Sequence, residues 1–255
     1  MSGETAMACD ASSISRRNIL AGAGLWAVLS AALTSKAIAG NARDNVASWA
    51  NRLKQECADL RSGTVSTAQW RAALDALAAD VALEDLLSAI DFERLRSATP
   101  FAEQGVSTSP VALPGLAGGR LAFSTKMFAI GPGRAIIPHG HENMVSAHLL
   151  LGGEMRLRQF DKLAREDDML LVAPSVDKTI GAGEISSISL AEDNIHWMTT
   201  VGGAWTLDII MTNIDAAAEK PYDIYNLDIE AAQVRPDGAL LAPIPTVPAA
   251  LRKYG

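Results

Sequence analysis

From residue 42 to residue 96 the apolar positions recur at helical intervals. In "NVASWANRLKQECADLRSG" Val46, Trp49, Ala50, Leu53 and Leu60 fall near one face, and Gly63 follows where a helix would stop. A second run, "AQWRAALDALAADVALEDLLSAIDFERL", opens after Ser66 or Thr67, either of which can cap a helix. It places Trp70, Leu74, Leu77, Val81 and Leu86 at roughly helical spacing, with a break near Asp80. Two or three helices are expected, docked through their tryptophans on the rest of the chain. From Pro100 the period changes to short apolar runs divided by Gly and Pro: "RLAFSTKMFAIGPG", "AIIPHGHE", "MVSAHLLLGG", "EMRLRQFDK", "DMLLVAPS", "EISSISLAED", "NIHWMTTVGG" and "AWTLDIIMTN". Eight strand candidates spaced by about ten residues predict a mainly β fold closed as a jelly-roll β-barrel. Beyond them "PYDIYNLDI" reads as a last strand or an ordered arm. The proline-rich "PDGALLAPIPTVPAALRKYG" reads as an extended tail over the surface.

The first forty residues follow neither period. A polar start leads to Ser15, Arg16, Arg17, Asn18, Ile19 and Leu20, then to a modestly apolar run up to about Leu33, and ends at Ala37-Ile38-Ala39, a small-x-small pattern that a signal peptidase accepts. This is the layout of an export signal, too short and too rich in Ala and Gly to serve as a membrane span. The arginine pair ahead of the apolar run resembles the twin-arginine signal of bacteria, which is read by a receptor and carries proteins already folded. That resemblance implies a periplasmic protein, loaded with its cofactor in the cytoplasm, whose partner in transit is the twin-arginine export machinery and whose only membrane contact is the leader before cleavage. The expected organisation is a signal peptide at 1–39, a helical segment at 40–99, a barrel at 100–215 and an arm and tail at 216–255.

Composition narrows the function. The net charge is −7, and the leader carries a small positive balance, so the remainder is more acidic still and does not suit nucleic acid. Of two cysteines, Cys9 belongs to the leader and Cys57 alone cannot form an internal disulfide in an oxidising compartment. Stability therefore has to come from a core, which a chain with 49% hydrophobic residues can build.

The chemistry concentrates in "IIPHGHENMVSAHLLLGGEM", residues 136 to 155. Of four histidines in the chain, His139, His141 and His148 fall here and the fourth is His196. In a strand His139 and His141 project from one face and can chelate a metal together. His196, on a later strand, completes a three-nitrogen site with open positions, the arrangement of a catalytic rather than a closed structural metal.

The same stretch resembles the first motif of the cupin superfamily, G-x5-H-x-H-x3-4-E-x6-G, through Gly133, His139, His141 and Gly153, with Ser146 where the glutamate would stand. Within the cupins it looks most like the thiol dioxygenases, which also lack that glutamate, and among them the cysteamine and plant cysteine oxidase branch. Pro138, His139, His141, Met144, Leu149, Leu150, Gly153, Met155, Phe160 and Asp161 echo that branch, as does "DNIHWMTTVGGAWTLDII" from Asp193 to Ile210. The likeness covers about residues 120 to 212. It implies Fe²⁺ held by His139, His141 and His196, and a reaction in which a small thiol and O₂ give a sulfinic acid. Three neutral imidazoles leave the ion its full charge, which favours a thiolate ligand. A non-catalytic binding protein on the same scaffold, or another metal-dependent enzyme, is the alternative.

His148 shares the parity of Ser146 and is open between a fourth metal ligand, an acid–base group beside the metal and a core histidine. Arg134, Arg156 and Arg158 could hold a substrate carboxylate or be solvated strand residues. Tyr222 and Tyr225 could donate hydrogen bonds in the pocket or pack the arm. Trp197, next to His196, should point to the opposite face.

Overall fold

In the computed structural model the described residues are 40–116 and 120–255; the expected leader lies outside them. Residues Ala42–Gly255 form one compact unit. Helix α1 (residues 40–62) stops at Gly63. Helix α2 (Thr67–Asp80) is capped by Ser66, whose side chain accepts from the Gln69 amide while the Gln69 side chain accepts from the Ser66 amide. At Val81 the backbone becomes extended and ends α2, which is the break that the pattern predicted near Asp80. Helices α3 (Leu83–Ala89) and α4 (Phe92–Ala98) follow.

The helical stripes are buried as their spacing implies. Val46, Trp49, Leu53, Trp70, Leu74, Leu77 and Leu86 join one core with Met127, Val145, Ala147, Leu149, Leu207, Ile209 and Met211 of the sheet. Each such large apolar side chain withdrawn from water contributes about 1.5–3 kcal/mol. The Trp49 indole N–H is satisfied by the Leu77 carbonyl at 3.0 Å.

The strands are β1 (Val106–Pro110), β2 (Ser124–Ile130), β3 (Ala135–Glu142), β4 (Met144–Glu166), β5 (Met169–Gly181), β6 (Ile185–Ile188), β7 (Ile195–Thr199), β8 (Ala204–Thr212), β9 (Asp223–Asn226), β10 (Gln233–Val234) and β11 (Leu240–Pro243). They form one antiparallel network in the order β1-β2-β8-β4-β5-β11-β10, with β6 and β7 also on β4, β7 on β3, and β3 on β9.

This corrects the expected jelly-roll β-barrel. The ladder runs from an end at β1 to an end at β10 and does not return on itself. Closure needs strands of matched length, tilt and stagger, whereas here β4 has 23 residues and β10 has 2. The runs "MVSAHLLLGG" and "EMRLRQFDK", which the hydropathy pattern separates, are one strand. Their junction is a bulge between Leu150 and Gly152, followed by Gly153 at φ +86°. A Cβ on Gly153 would lie 2.3 Å from the Gly203 carbonyl oxygen, so only glycine lets β4 bend past β8 there. The first half of β4 pairs with β8 and β6, and the second half with β5 and β7. One strand thus serves both halves of the sheet. The tail also differs from expectation: β11 pairs with β5, and Val247–Tyr254 forms a helix, α5, with proline in its first turn, where a missing N–H costs nothing.

Candidate metal centre

Strand alternation builds the site. His139 and His141 of β3 point to one face, and His139 pairs directly with His196 of β7. Pro138 has no N–H to give the ladder and lies in the register shift between Ile136 and His139, which aims the two histidines. The imidazole centroids of His139 lie 4.9 Å from those of His141 and 4.5 Å from those of His196. One nitrogen from each of the three rings falls within a group no wider than 4.8 Å. The nearest pair, Nε2 of His139 and Nε2 of His196, is 3.1 Å apart, close to the ~3.0 Å between adjacent ligands of an ion with bonds of ~2.1 Å.

The donors are ready to ligate. His139 Nδ1 is 2.8 Å from the Ile137 carbonyl, which can only accept, so Nδ1 carries the proton and the Nε2 lone pair is free for a metal. Nδ1 of His141 and Nδ1 of His196 are buried without hydrogen-bond partners. Burial lowers the pKa of His139, and lowers those of His141 and His196 well below the usual imidazole range, with further lowering from the neighbouring rings. All three are neutral at pH 7. The chain thus places a three-histidine cluster able to coordinate a metal ion in its interior, and among the described residues no carboxylate belongs to it.

His148 stands beside the cluster. Its ring is 5.2 Å from that of His196, and burial drives its pKa down to about 3. Its Nδ1 lies 3.2 Å from Thr206 Oγ1, its Nε2 lies 3.6 Å from Asp208 Oδ1, and Phe128 meets it edge-on at 5.2 Å. Burial raises the Asp208 pKa well above the usual carboxylate value, against the opposing charge of Lys126. Ser146, where the motif would carry glutamate, is buried with its Oγ unpartnered.

No family model matches this sequence, and no curated protein does. Among solved structures the chain is similar to an 11S globulin from Wrightia tinctoria with an auxin binding site, at 16% identity and a TM-score of 0.33, over 44% of this chain and 26% of the globulin. It is similar to a cupin superfamily protein from Desulfitobacterium hafniense DCB-2, at 15% identity and a TM-score of 0.32, over 45% and 84%. It is also similar to an oxalate oxidase in complex with the substrate analogue glycolate, at 18% identity and a TM-score of 0.33, over 48% and 55%. The chain thus spans about a quarter of the globulin and about half of the oxidase. Likenesses this distant carry no inference about activity, which has to come from the residues themselves.

The other residues singled out by the sequence lie away from the cluster. Arg134 donates to the Gly255 carbonyl at 2.9 Å. Arg156 is exposed and forms a two-pronged pair with Asp177, at 2.8 and 2.7 Å. Arg158 lies over the Trp197 ring at 3.2 Å; it pairs across strands with Trp197, on the face of β7 opposite His196, as the alternation predicts. None of the three arginines faces the histidines. Tyr222 is half exposed, in a surface cleft with Glu142, Leu190 and Lys220. Tyr225 pairs with Gly140, the residue between the two histidines, and so stands on the far face of β3, packed with Phe160, Leu170 and Val172. Its hydroxyl is buried without a partner, and burial raises its pKa.

Sequence reasoning missed Asp208, Thr206 and Gln159. Gln159 pairs with His196 from β4 and donates to the Ser187 carbonyl at 3.0 Å. The signal was available in "WTLDII", where polar Thr206 and Asp208 alternate with buried Leu207 and Ile209. A strand polar on one face and apolar on the other reads as half solvated, but this polar face looks inward.

Proposed function

We propose that the chain is a metal-dependent oxidoreductase in which His139, His141 and His196 hold Fe²⁺, and that it oxidises a small thiol with O₂ to a sulfinic acid. The observation that carries the reading is the convergence of three neutral imidazoles in a cluster to which, among the described residues, no carboxylate belongs. A ferrous ion bound there supplies a Lewis acid that favours the thiolate form of a thiol, together with a redox centre for O₂ chemistry. The protein's part is to leave that charge uncancelled: Ser146 occupies the strand position from which a carboxylate would neutralise it. Met198, two residues from His196 on the same face of β7, joins Ile130, Leu150, Met155 and Leu157 in a buried apolar cluster that keeps water from that side. Beside His148 the Asp208 carboxyl, whose pKa burial raises, is in its ionised form a base that can take the proton a thiol gives up. The overall change, RS⁻ + O₂ → RSO₂⁻, draws all four electrons from sulfur and needs no other reductant. The export leader completes the reading as a periplasmic enzyme loaded before transport.

The test is oxygen uptake by the iron-loaded protein with a panel of small thiols under ¹⁸O₂. Thiol-dependent uptake with both labelled atoms in the sulfinate supports the reading. Uptake without thiol makes it a different oxygenase, and tight metal binding with no uptake makes it a binding protein.

A further inference from the structure

The three arginines that could have held a substrate anion are committed elsewhere, yet the histidine-bearing face is not without a cation. On β2 and β8 Lys126 pairs directly with Asp208, and on β8 and β4 Asp208 pairs directly with His148. Residues directly opposite in antiparallel strands share a face, so Lys126, Asp208 and His148 form one row across three strands on the side that looks toward the metal cluster. Strands lie ~4.8 Å apart, which puts Lys126 ~10 Å along the row from His148, and its four-carbon stem lets the ammonium reach back toward the histidines. Its charge acts on the Asp208 carboxyl.

Lys126 also sits at the open end of that face. Deeper along β2 the same face carries Phe128 and then Ile130, which is buried. Toward the other end Ser124, Ile210 and Thr212 of the same face line a surface cleft. Arg61, which lines that cleft too, donates to the backbone carbonyls of Asn213, Ala122 and Thr212. Among the described residues no ion pair holds Lys126. The row therefore offers a free cation at its exposed end and, next to it, a buried oxygen without a hydrogen-bond partner at Asp208 Oδ1, while Ser146 Oγ, likewise buried and unpartnered, lies in the adjacent row opposite Ile210.

We propose that Lys126 anchors a carboxylate of the substrate at the mouth of this face while the sulfur reaches the histidines, so that the substrate class is a short mercapto acid. The inference rests on the thiol reading above. A neutral thiol has nothing to offer Lys126, and an aminothiol brings a like charge to it.

The test is calorimetric binding to the Zn²⁺-loaded protein, in which no oxidation can occur, with 3-mercaptopropionate, 2-mercaptoethanol, cysteamine and propionate as probes. The wild-type protein should bind 3-mercaptopropionate about fivefold more tightly than 2-mercaptoethanol, the upper end for an ion pair open to water. Lys126→Gln should erase that difference without weakening 2-mercaptoethanol, Lys126→Arg should keep most of it, and Lys126→Glu should turn the preference toward cysteamine. A wild-type protein that binds cysteamine or 2-mercaptoethanol as tightly as 3-mercaptopropionate overturns the proposal, as does a preference that survives Lys126→Gln. The two readings fail separately. Lys126-dependent propionate binding in a protein whose iron form oxidises no thiol keeps the anion anchor and sinks the thiol reading. Oxidation of 3-mercaptopropionate with no dependence on Lys126 does the reverse.

Discussion

Replacing Gly140 by alanine tests how the two ligand histidines are held. Gly140 separates His139 from His141, and a Cβ built on it lies 2.5 Å from Cε2, Cζ and Oη of Tyr225. Ordinary carbon contacts begin near 3.5 Å, so ~1 Å has to be absorbed. The ring cannot simply swing out, because Tyr225 is buried against Phe160, Leu170 and Val172. Overpacking of this kind costs about 1–3 kcal/mol, and whatever part of the strain moves β3 displaces both histidines at once. In a Tyr225→Ala background the clash is gone, and alanine in place of glycine in a strand is neutral or favourable by up to about 1 kcal/mol. The interaction energy between the two substitutions should therefore be about 1–3 kcal/mol. Denaturant unfolding of the metal-free protein gives the four stabilities, and competition with a chelator gives metal affinity. Gly140→Ala should lower both, and the loss should vanish when Tyr225 is also alanine. An equal cost of Gly140→Ala in both backgrounds would refute the packing of Tyr225 over Gly140 and with it the placement of Tyr225 outside the site.

Alanine at His139, His141 or His196 should each abolish metal binding while leaving the circular dichroism of a folded chain, whereas His148→Ala should keep the metal, since His148 lies outside the cluster; metal retained at full stoichiometry removes a residue from the ligand set. The metal-free protein should be acid-labile: His148 has its folded pKa lowered from 6.5 to about 3, so the unfolded chain takes up the proton first, and its contribution is intact above pH 6.5 and lost as pH falls. At pH 5 this one group costs roughly 2 kcal/mol, the other three histidines act in the same direction, and a flat stability between pH 7 and pH 5 would contradict their burial as neutral rings. Replacing Arg16 and Arg17 by lysine should trap a folded, metal-loaded precursor in the cytoplasm, and undiminished export on cell fractionation would point to the general secretory route instead.

The helices were legible because each buries one stripe, so Val46, Trp49, Leu53, Trp70, Leu74 and Leu77 show their period directly. The ligand trio was legible for a comparable reason: strand parity alone places His139 beside His141, and residue type does the rest. The failure of closure was not legible. Nothing in the composition of "LLLGGEMRL" says whether two glycines end a strand or bend it, since that depends on the Gly203 carbonyl, which approaches Gly153 from fifty residues away. A local pattern reports periods, while the joining of "MVSAHLLLGG" to "EMRLRQFDK" is a tertiary event. The tail was misread on similar grounds. Its prolines suggested extension, but one of them sits in the first turn of α5, the position where proline favours a helix.

The arginines show where residue type misleads. Arg156 and Arg158 were candidates because a guanidinium suits a carboxylate, yet they alternate with Met155, Leu157 and Gln159 on β4, and those three look inward. Parity therefore turns both arginines outward, where Asp177 and the Trp197 face are waiting. The same rule applied to β2 would have found Lys126, but only with the register known. Lys126 stands between Thr125 and Met127, and Met127 packs on the helices; nothing in "STKMFAI" alone says that the face carrying Lys126 is the one that carries His148. The register of β2 on β8, and of β8 on β4, supplies that step. Ligands to a metal announce themselves by side-chain chemistry, whereas a residue that selects a substrate is ordinary in type and becomes special only through the row in which the sheet sets it.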